Sequence, residues 1–214
     1  DGYSRVTGKP GVCLLITGPG LTNAATAMAQ AYADSIPMLV ITGVNAEGRM
    51  GSGRGWLHEL KDQRAFAEQI SATSTTIHSR DELEDAVANA FALFATKRPR
   101  PVHIEIPTNV MRFTVDESIK AARRTMPAKS SPDRDSIAEA IALLNRSKSP
   151  LLLVGGGAID AQEAIRALAE RLGAPVIMTV NGRGILPDNH PLALPFNPSL
   201  PALRAVMKHA DLTL

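Results

Sequence analysis

His58 and Glu59 stand side by side at the end of a stretch that holds Gly43, Gly48, Gly51, Gly53 and Gly55 together with Arg49 and Arg54. An imidazole and a carboxylate are the side chains best suited to moving protons, so this is the pair with the most catalytic character in the chain. Their spacing argues against a dyad, because adjacent residues on a helix do not face each other. The plainer reading of Glu59 is a polar residue at a helix start, close to the positive end of the dipole. His103 alternates with apolar neighbours in Val102-His103-Ile104 and reads as structural, while His78, His190 and His209 show no metal-ligand spacing among themselves. Cys13 lies inside an apolar run, where a thiol is a small buried hydrophobe rather than a nucleophile. No nucleophile-elbow motif is present in the sequence.

Three glycine-rich turns follow apolar runs: Gly18-Pro19-Gly20, the stretch 43–55, and Gly155-Gly156-Gly157. Each could present backbone N–H groups to a phosphate or another polar ligand. None is a P-loop, since no Gly-Lys-Ser/Thr follows. Nor is the third a dinucleotide fingerprint, because Asp160 stands where the last glycine of G-x-G-x-x-G belongs. Residue by residue, the chain offers polar crevices without a complete catalytic set.

The elements that must hold these residues are legible as apolar runs and helical periods. Val12 to Thr17 reads as a strand buried on both faces, preceded by a polar lead-in from Gly2. The Gly-Pro-Gly turn then opens a helix over about 21–35, which Pro37 stops. Residues 38–42 form a second buried strand, so the unit is a parallel strand–helix–strand crossover. After the flexible glycine loop, a helical stretch is expected from Trp56 to about Gln69, then a strand over 72–78 and an amphipathic helix over 80–96. Val102 to Pro107 alternates apolar and polar residues and is expected near a sheet edge. From Phe113 to Asp133 the pattern dissolves into charges, serines and prolines, which reads as a linker. A second α/β unit follows: helix 135–145 with Ile137, Ile141 and Leu144 on one face, strand 151–154, helix 161–172, strand 176–180, the turn Asn181-Gly182-Arg183-Gly184, and a helix over 201–209. The expected architecture is α/β, with two doubly wound parallel-sheet units: residues 1–113, a linker 114–132, and residues 133–214.

The chain has 214 residues with 23 basic and 21 acidic side chains, a net charge of +2 that gives no reason to propose nucleic acid or a membrane surface as partner. No apolar stretch approaches the ~18 residues of a membrane-spanning helix. One cysteine excludes an internal disulfide and fits a reducing cytosol, so a cytoplasmic protein is expected. Asp1 is not a start methionine and the last residues read as the opening of another strand, so a segment of a longer chain is expected.

Several ordered motifs carry a resemblance: Asp1-Gly2-Tyr3-Ser4-Arg5-Val6-Thr7-Gly8-Lys9-Pro10-Gly11, Thr17-Gly18-Pro19-Gly20-Leu21-Thr22-Asn23, Asp34-Ser35-Ile36-Pro37-Met38, Arg98-Pro99-Arg100-Pro101-Val102, Gly155-Gly156-Gly157-Ala158 and Gly184-Ile185-Leu186-Pro187-Asp188. Together they resemble the thiamine diphosphate (ThDP)-dependent acetolactate synthase family over nearly the whole chain. The resemblance implies the later part of the pyrimidine-binding domain and most of the central domain. The family's catalytic glutamate would lie upstream of the Gly-Tyr motif and its Mg²⁺ ligands in a third domain, so the segment alone would be inactive. It further implies that Gly18, Pro19, Gly20 and Asn23 line the ring region of ThDP, the glycines letting the ring approach closely. His58 falls where acetolactate synthases carry glutamine in a Phe-Gln-Glu motif. Here the residues are Leu57-His58-Glu59, and Gly53 to Glu59 look more like members acting on guanidino 2-oxo acids.

The implied activity is decarboxylation of a 2-oxo acid, with release of an aldehyde or joining to a second carbonyl; His58 would be the proton donor after CO₂ leaves. Gly155, Gly156, Gly157 and Arg183 resemble loops that hold FAD in acetolactate synthases, and the resemblance allows FAD without requiring it. A homodimer or homotetramer is implied, with a small 2-oxo acid as substrate. Two alternatives stand beside this reading: an acetolactate synthase catalytic subunit proper, and a non-catalytic nucleotide-binding α/β module.

Overall fold

The computed structural model describes residues 1–114, 125–128 and 130–214. The chain forms two compact units, Asp1–Ser130 and Ser131–Leu214. The centre of the stretch expected to link them, 115–124 and residue 129, lies outside the described residues.

The first unit opens with a helix, α1 (Gly2–Thr7), where a polar lead-in was expected. Six residues carry no readable amphipathic period. The helix is held instead by Ser4, whose buried hydroxyl donates to the Pro37 carbonyl and accepts from the Gly11 N–H, both at 2.8 Å. β1 (Gly11–Leu15) runs into α2 (Pro19–Asp34), with Pro19 in the first turn, where its missing N–H costs nothing. α2 buries Leu21, Met28 and Ala31 against Met38 and Val40 of β2 (Met38–Val44), each large side chain stabilising the unit by about 1.5–3 kcal/mol. The short α3 (Gln63–Glu68), β3 (Thr73–Thr76), α4 (Arg80–Thr96) and β4 (Val102–Pro107) complete the unit.

The four strands are all parallel, in the order β1-β2-β4-β3. Two expectations are corrected here. β4 is an interior strand and not an edge: Val102, His103, Ile104 and Glu105 are all buried. Its alternation arises from buried polar residues that are hydrogen-bonded, not from a solvent-facing side. β1 is one of the two edge strands and is buried on one face only, with Val12 and Leu14, and Ile16 just beyond the strand, exposed at 57%, 76% and 60%. The reason is reach. α2 and α3 cover one face across the sheet, whereas α4 packs on Leu39, Ile41, Val102 and Ile104 and leaves β1 uncovered.

The second unit comprises α5 (Arg134–Arg146), β5 (Pro150–Val154), α6 (Gln162–Leu172), β6 (Val176–Met178), β7 (Ala193–Leu194), α7 (Pro201–His209) and β8 (Leu212–Thr213). Its sheet is again parallel, in the order β7-β6-β5-β8. One face packs Leu152, Val154, Val176 and Met178 on α6, and the other sets Leu151 and Ile177 on Leu203 of α7. The strand expected over 176–180 ends at Met178, and Val180–Gly182 coils into a 3-10 turn. α5 buries none of its residues: Ile137 and Ile141, expected on its apolar face, are exposed.

Candidate active site at the carboxyl edge of the first sheet

The Gly18-Pro19-Gly20 turn sits beyond the carboxyl end of β1, the edge where ligands of parallel α/β sheets bind. Gly18 has φ 62 and ψ −103, a conformation essentially restricted to glycine. A Cβ on Gly18 would lie 2.2 Å from the His58 carbonyl oxygen, and one on Gly20 would lie 2.8 Å from Cγ2 of Ile16. The chain's own packing thus demands glycine at position 18, before any ligand is considered, whereas at position 20 the crowding comes from the side chain of exposed Ile16. Pro19 and Asn23 are four residues apart on α2, so they share a face, and both are exposed. His58 is brought directly onto the turn: its carbonyl and Cβ are the atoms nearest to Gly18.

His58 is not on a helix. It takes φ 59, in the left-handed region, within a turn that precedes α3. The helical stretch expected from Trp56 is therefore corrected to Gln63–Glu68, where Asp62 caps the N-terminus by accepting from the Ala65 N–H at 2.8 Å. Glu59 serves a different end from the one expected. Its carboxylate accepts from the N–H groups of Gly53, Gly55 and Trp56 and from the Ser52 hydroxyl at 2.8–3.1 Å. Desolvation works to raise its pKa, but those four bonds outweigh it and hold the carboxyl below its ordinary range. Arg49 stacks over Trp56, its guanidinium carbon 4.1 Å from the ring centroid. The stretch read as a flexible glycine loop is gathered around one carboxylate.

Behind the turn lies a buried polar layer. Gln63 is 4% exposed and reaches three strand ends at once. Its Oε1 accepts from the Gly18 N–H at 2.8 Å, and its Nε2 donates to the Gly43 carbonyl at 2.8 Å, the Glu105 carboxylate at 3.0 Å and the Thr42 hydroxyl at 3.1 Å. Glu105 in turn accepts from the Thr76 hydroxyl at 2.8 Å. One turn of strand below, His103 sits between Thr42 at 2.9 Å and Ser74 at 2.7 Å. Burial pushes His103 down to about 4. Burial pushes Glu105 up, against the hydrogen bonds from Thr76 and Gln63. Sequence reasoning passed over Gln63 and Glu105. The only signal was the recurrence of polar residues at every second position of β4, which also described an edge strand.

In the second unit, the Gly155-Gly156-Gly157 turn enters a 3-10 coil over Gly156–Ala161, ahead of α6. A Cβ on Gly156 would press on Asn181 at 3.2 Å, whereas Gly157 faces open space. Arg183 donates to the Pro195 carbonyl at 2.6 Å and stands 3.7 Å from Asp188, so its guanidinium is already engaged.

Residues 1–66 match the family model described as the thiamine pyrophosphate enzyme N-terminal TPP binding domain, and residues 137–214 match the central domain of the same enzymes. The chain belongs to the ThDP-dependent enzymes. It is 48% identical over 192 residues to the probable 2-ketoarginine decarboxylase of Pseudomonas aeruginosa, which covers 90% of this chain and 34% of that protein. To the acetolactate synthase large subunit of Corynebacterium glutamicum it is 36% identical over 196 residues, covering 89% of this chain and 31% of that one. A solved structure of a thiamin diphosphate-dependent enzyme from Mycobacterium smegmatis superposes with a TM-score of 0.84 at 24% identity, over 99% of this chain and 41% of that one, which shows the shared fold. The chain spans about a third of the length of the curated relatives it matches.

The first unit's residues fit the ring portion of ThDP. The turn is fixed from behind by Gln63, and its outer side presents the Pro19 ring and the Asn23 amide, with exposed Leu57 beside His58. An apolar surface carrying one amide suits a flat heterocycle better than a diphosphate. Among the described residues, no group of three or more His, Cys, Asp or Glu is placed to hold a metal ion.

Proposed function

We propose that this chain is part of a ThDP-dependent decarboxylase acting on a guanidino 2-oxo acid. The observation that carries the reading is the 48% identity to the probable 2-ketoarginine decarboxylase, against 36% to an acetolactate synthase over a similar length. The Leu57-His58-Glu59 sequence supports it, because it sets His58 beside the Gly18 turn, its backbone carbonyl and Cβ being the atoms nearest to that glycine. ThDP, when bound, supplies the electron sink that lets CO₂ leave a 2-oxo acid.

This chain's residues have separable roles in that reading. Pro19 and Asn23 contact the cofactor rings, and Gly18 and Gly20 permit the turn. His58 holds a proton beside the reacting carbon and delivers it after CO₂ has left. Glu59 gathers the glycine loop over the site. Mg²⁺ and the diphosphate belong on residues outside this segment, and the assembled enzyme is a homodimer or homotetramer in the cytoplasm. In the second unit, the Gly155–Gly157 turn is the place for FAD or another nucleotide. Arg183 would exchange its Pro195 contact for a phosphate.

The test is to incubate the full-length gene product, with ThDP and Mg²⁺, with 5-guanidino-2-oxopentanoate, pyruvate or glyoxylate and to measure CO₂ and products. The expected result is fastest CO₂ release from the guanidino acid. Faster turnover of pyruvate to acetolactate would place the protein with the acetolactate synthases. No CO₂ from any of the three would sink the decarboxylase reading.

A further inference from the structure

The hydrogen bonds at the carboxyl edge of the first sheet form a chain in the spatial order of the strands. Gly18 follows β1, Thr42 and Gly43 belong to β2, Glu105 to β4 and Thr76 to β3. Gln63 joins the first three, and Glu105 extends the line to the fourth. The links among the first three strands come from one side chain at the first position of a six-residue helix.

The partners leave the Gln63 amide one orientation. Its oxygen faces an N–H, at Gly18. Its nitrogen faces a carbonyl, a hydroxyl and a carboxylate. Turned over, the NH₂ would oppose the Gly18 N–H, and the oxygen would oppose the Gly43 carbonyl and the Glu105 carboxylate. Gly18 holds φ 62 with ψ −103, a conformation that only glycine adopts readily, and the His58 carbonyl stands where a Cβ would lie. The bond from Gln63 holds it from the inner side.

We propose that Gln63 is the positioning residue of the cofactor turn: its amide fixes Gly18-Pro19-Gly20 in the shape that receives the rings of ThDP, and Glu105 fixes the amide. This inference rests on the proposed placement of ThDP at that turn. It predicts that a change at this buried side chain, behind the turn, weakens cofactor binding.

The test uses the full-length gene product and measures ThDP binding by calorimetry in the presence of Mg²⁺. Gln63→Met keeps the length of the side chain and removes both polar ends. Its dissociation constant for ThDP is expected to rise about tenfold, equivalent to about 1.4 kcal/mol. Ser71→Ala is the control for general loosening of the same helix. It deletes the buried hydroxyl that bonds the Ala67 and Thr73 carbonyls, and is expected to leave ThDP affinity within about twofold.

Gln63→Glu gives a readout that a merely structural role would not move. A protonated carboxyl reproduces the amide, with a carbonyl for Gly18 and an O–H for Glu105 or Gly43. An ionised one lacks the donor and opposes Glu105. Its affinity relative to wild type is therefore expected to recover as pH falls. The titratable and charged groups around that position are Glu105, Asp62 and Arg64, with His103 reached through Thr42 and His58 across Gly18. Wild-type affinity in both Gln63 variants, or a Gln63→Glu to wild-type ratio that does not change with pH, would overturn the proposal. If Gln63→Met does not fold, the Gln63→Glu ratio decides alone. A wild-type protein that binds no ThDP overturns the proposed function itself, and is recognised before any variant is compared.

Discussion

The Gly18 N–H donates to Oε1 of Gln63 at 2.8 Å, joining residues 45 apart in sequence. The turn is thereby clamped between Gln63 on the inside and the His58 carbonyl on the outside. No space remains for a side chain at Gly18, and φ 62 with ψ −103 is strained for any L-residue. Gly18→Ala is expected to destabilise the first unit by about 3 kcal/mol, from strain and a backbone clash together. Urea unfolding followed by Trp56, the single tryptophan, reports that unit directly. Gly157→Ala is the contrast: its Cβ meets nothing within 4 Å, so unfolding followed by circular dichroism should change by less than about 0.5 kcal/mol.

Glu59 organises the glycine loop through four hydrogen bonds, and Arg49 and Arg54 lie within that loop. Glu59→Ala should release it. Trypsin cleavage after Arg49 and Arg54 is expected to accelerate severalfold, with little change in the global unfolding midpoint, because cleavage of a native loop follows local opening. The wild-type loop should loosen in acid as well. The folded carboxyl sits below its ordinary range, so its contribution is present above the unfolded value and lost as pH falls through the folded one. Equal cleavage rates in wild type and variant would show that the carboxylate does not hold the loop.

The two buried titrating groups of β4 pull stability in opposite directions with pH. His103 is pushed down from 6.5 to about 4, so below 6.5 the unfolded chain takes up a proton that the folded one refuses. Its contribution is complete above 6.5 and lost as pH falls toward 4, a change of about 3 kcal/mol. Glu105 is pushed up by burial, so its contribution is complete below 4.5 and declines as pH rises through its folded value. His103→Gln should flatten the rise in stability between the two His103 values, and Glu105→Gln should steepen it. Urea titrations across that window, followed by Trp56, check both slopes. A His103→Gln profile parallel to wild type would remove His103 as the source.

The fold was largely legible because its strands are apolar runs and its turns are marked by glycine and proline. Pro37 ends α2, and the periodic Leu83, Val87 and Phe91 define α4 without ambiguity. What misled was burial that composition does not reveal. His103 and Glu105 gave β4 the alternation of an edge strand, although each is satisfied inside the sheet by Thr42, Ser74, Thr76 and Gln63. β1 looked doubly buried because Val12, Leu14 and Ile16 are apolar, but which helix covers which strand is a tertiary fact. At the site, the Gly18 turn was visible as a motif. Gln63 was not, since a glutamine near a helix start has no pattern until three strand ends converge on it.

His58 is the remaining prediction, and its backbone dictates how it must be tested. At φ 59 most replacements would add strain, whereas asparagine tolerates the left-handed region. His58→Asn thus keeps the carbonyl against Gly18 while removing the imidazole. If that imidazole delivers the proton after CO₂ has left, kcat of the full-length gene product should fall about 100-fold, the lower end of what a positioned proton donor contributes. ThDP affinity should stay within about twofold, because the turn itself is unchanged. Product should also shift from free aldehyde toward joining with a second carbonyl, since slower protonation leaves more time for that capture. A variant with the wild-type decarboxylation rate and product ratio would assign His58 to packing against Gly18 and leave proton delivery to another group.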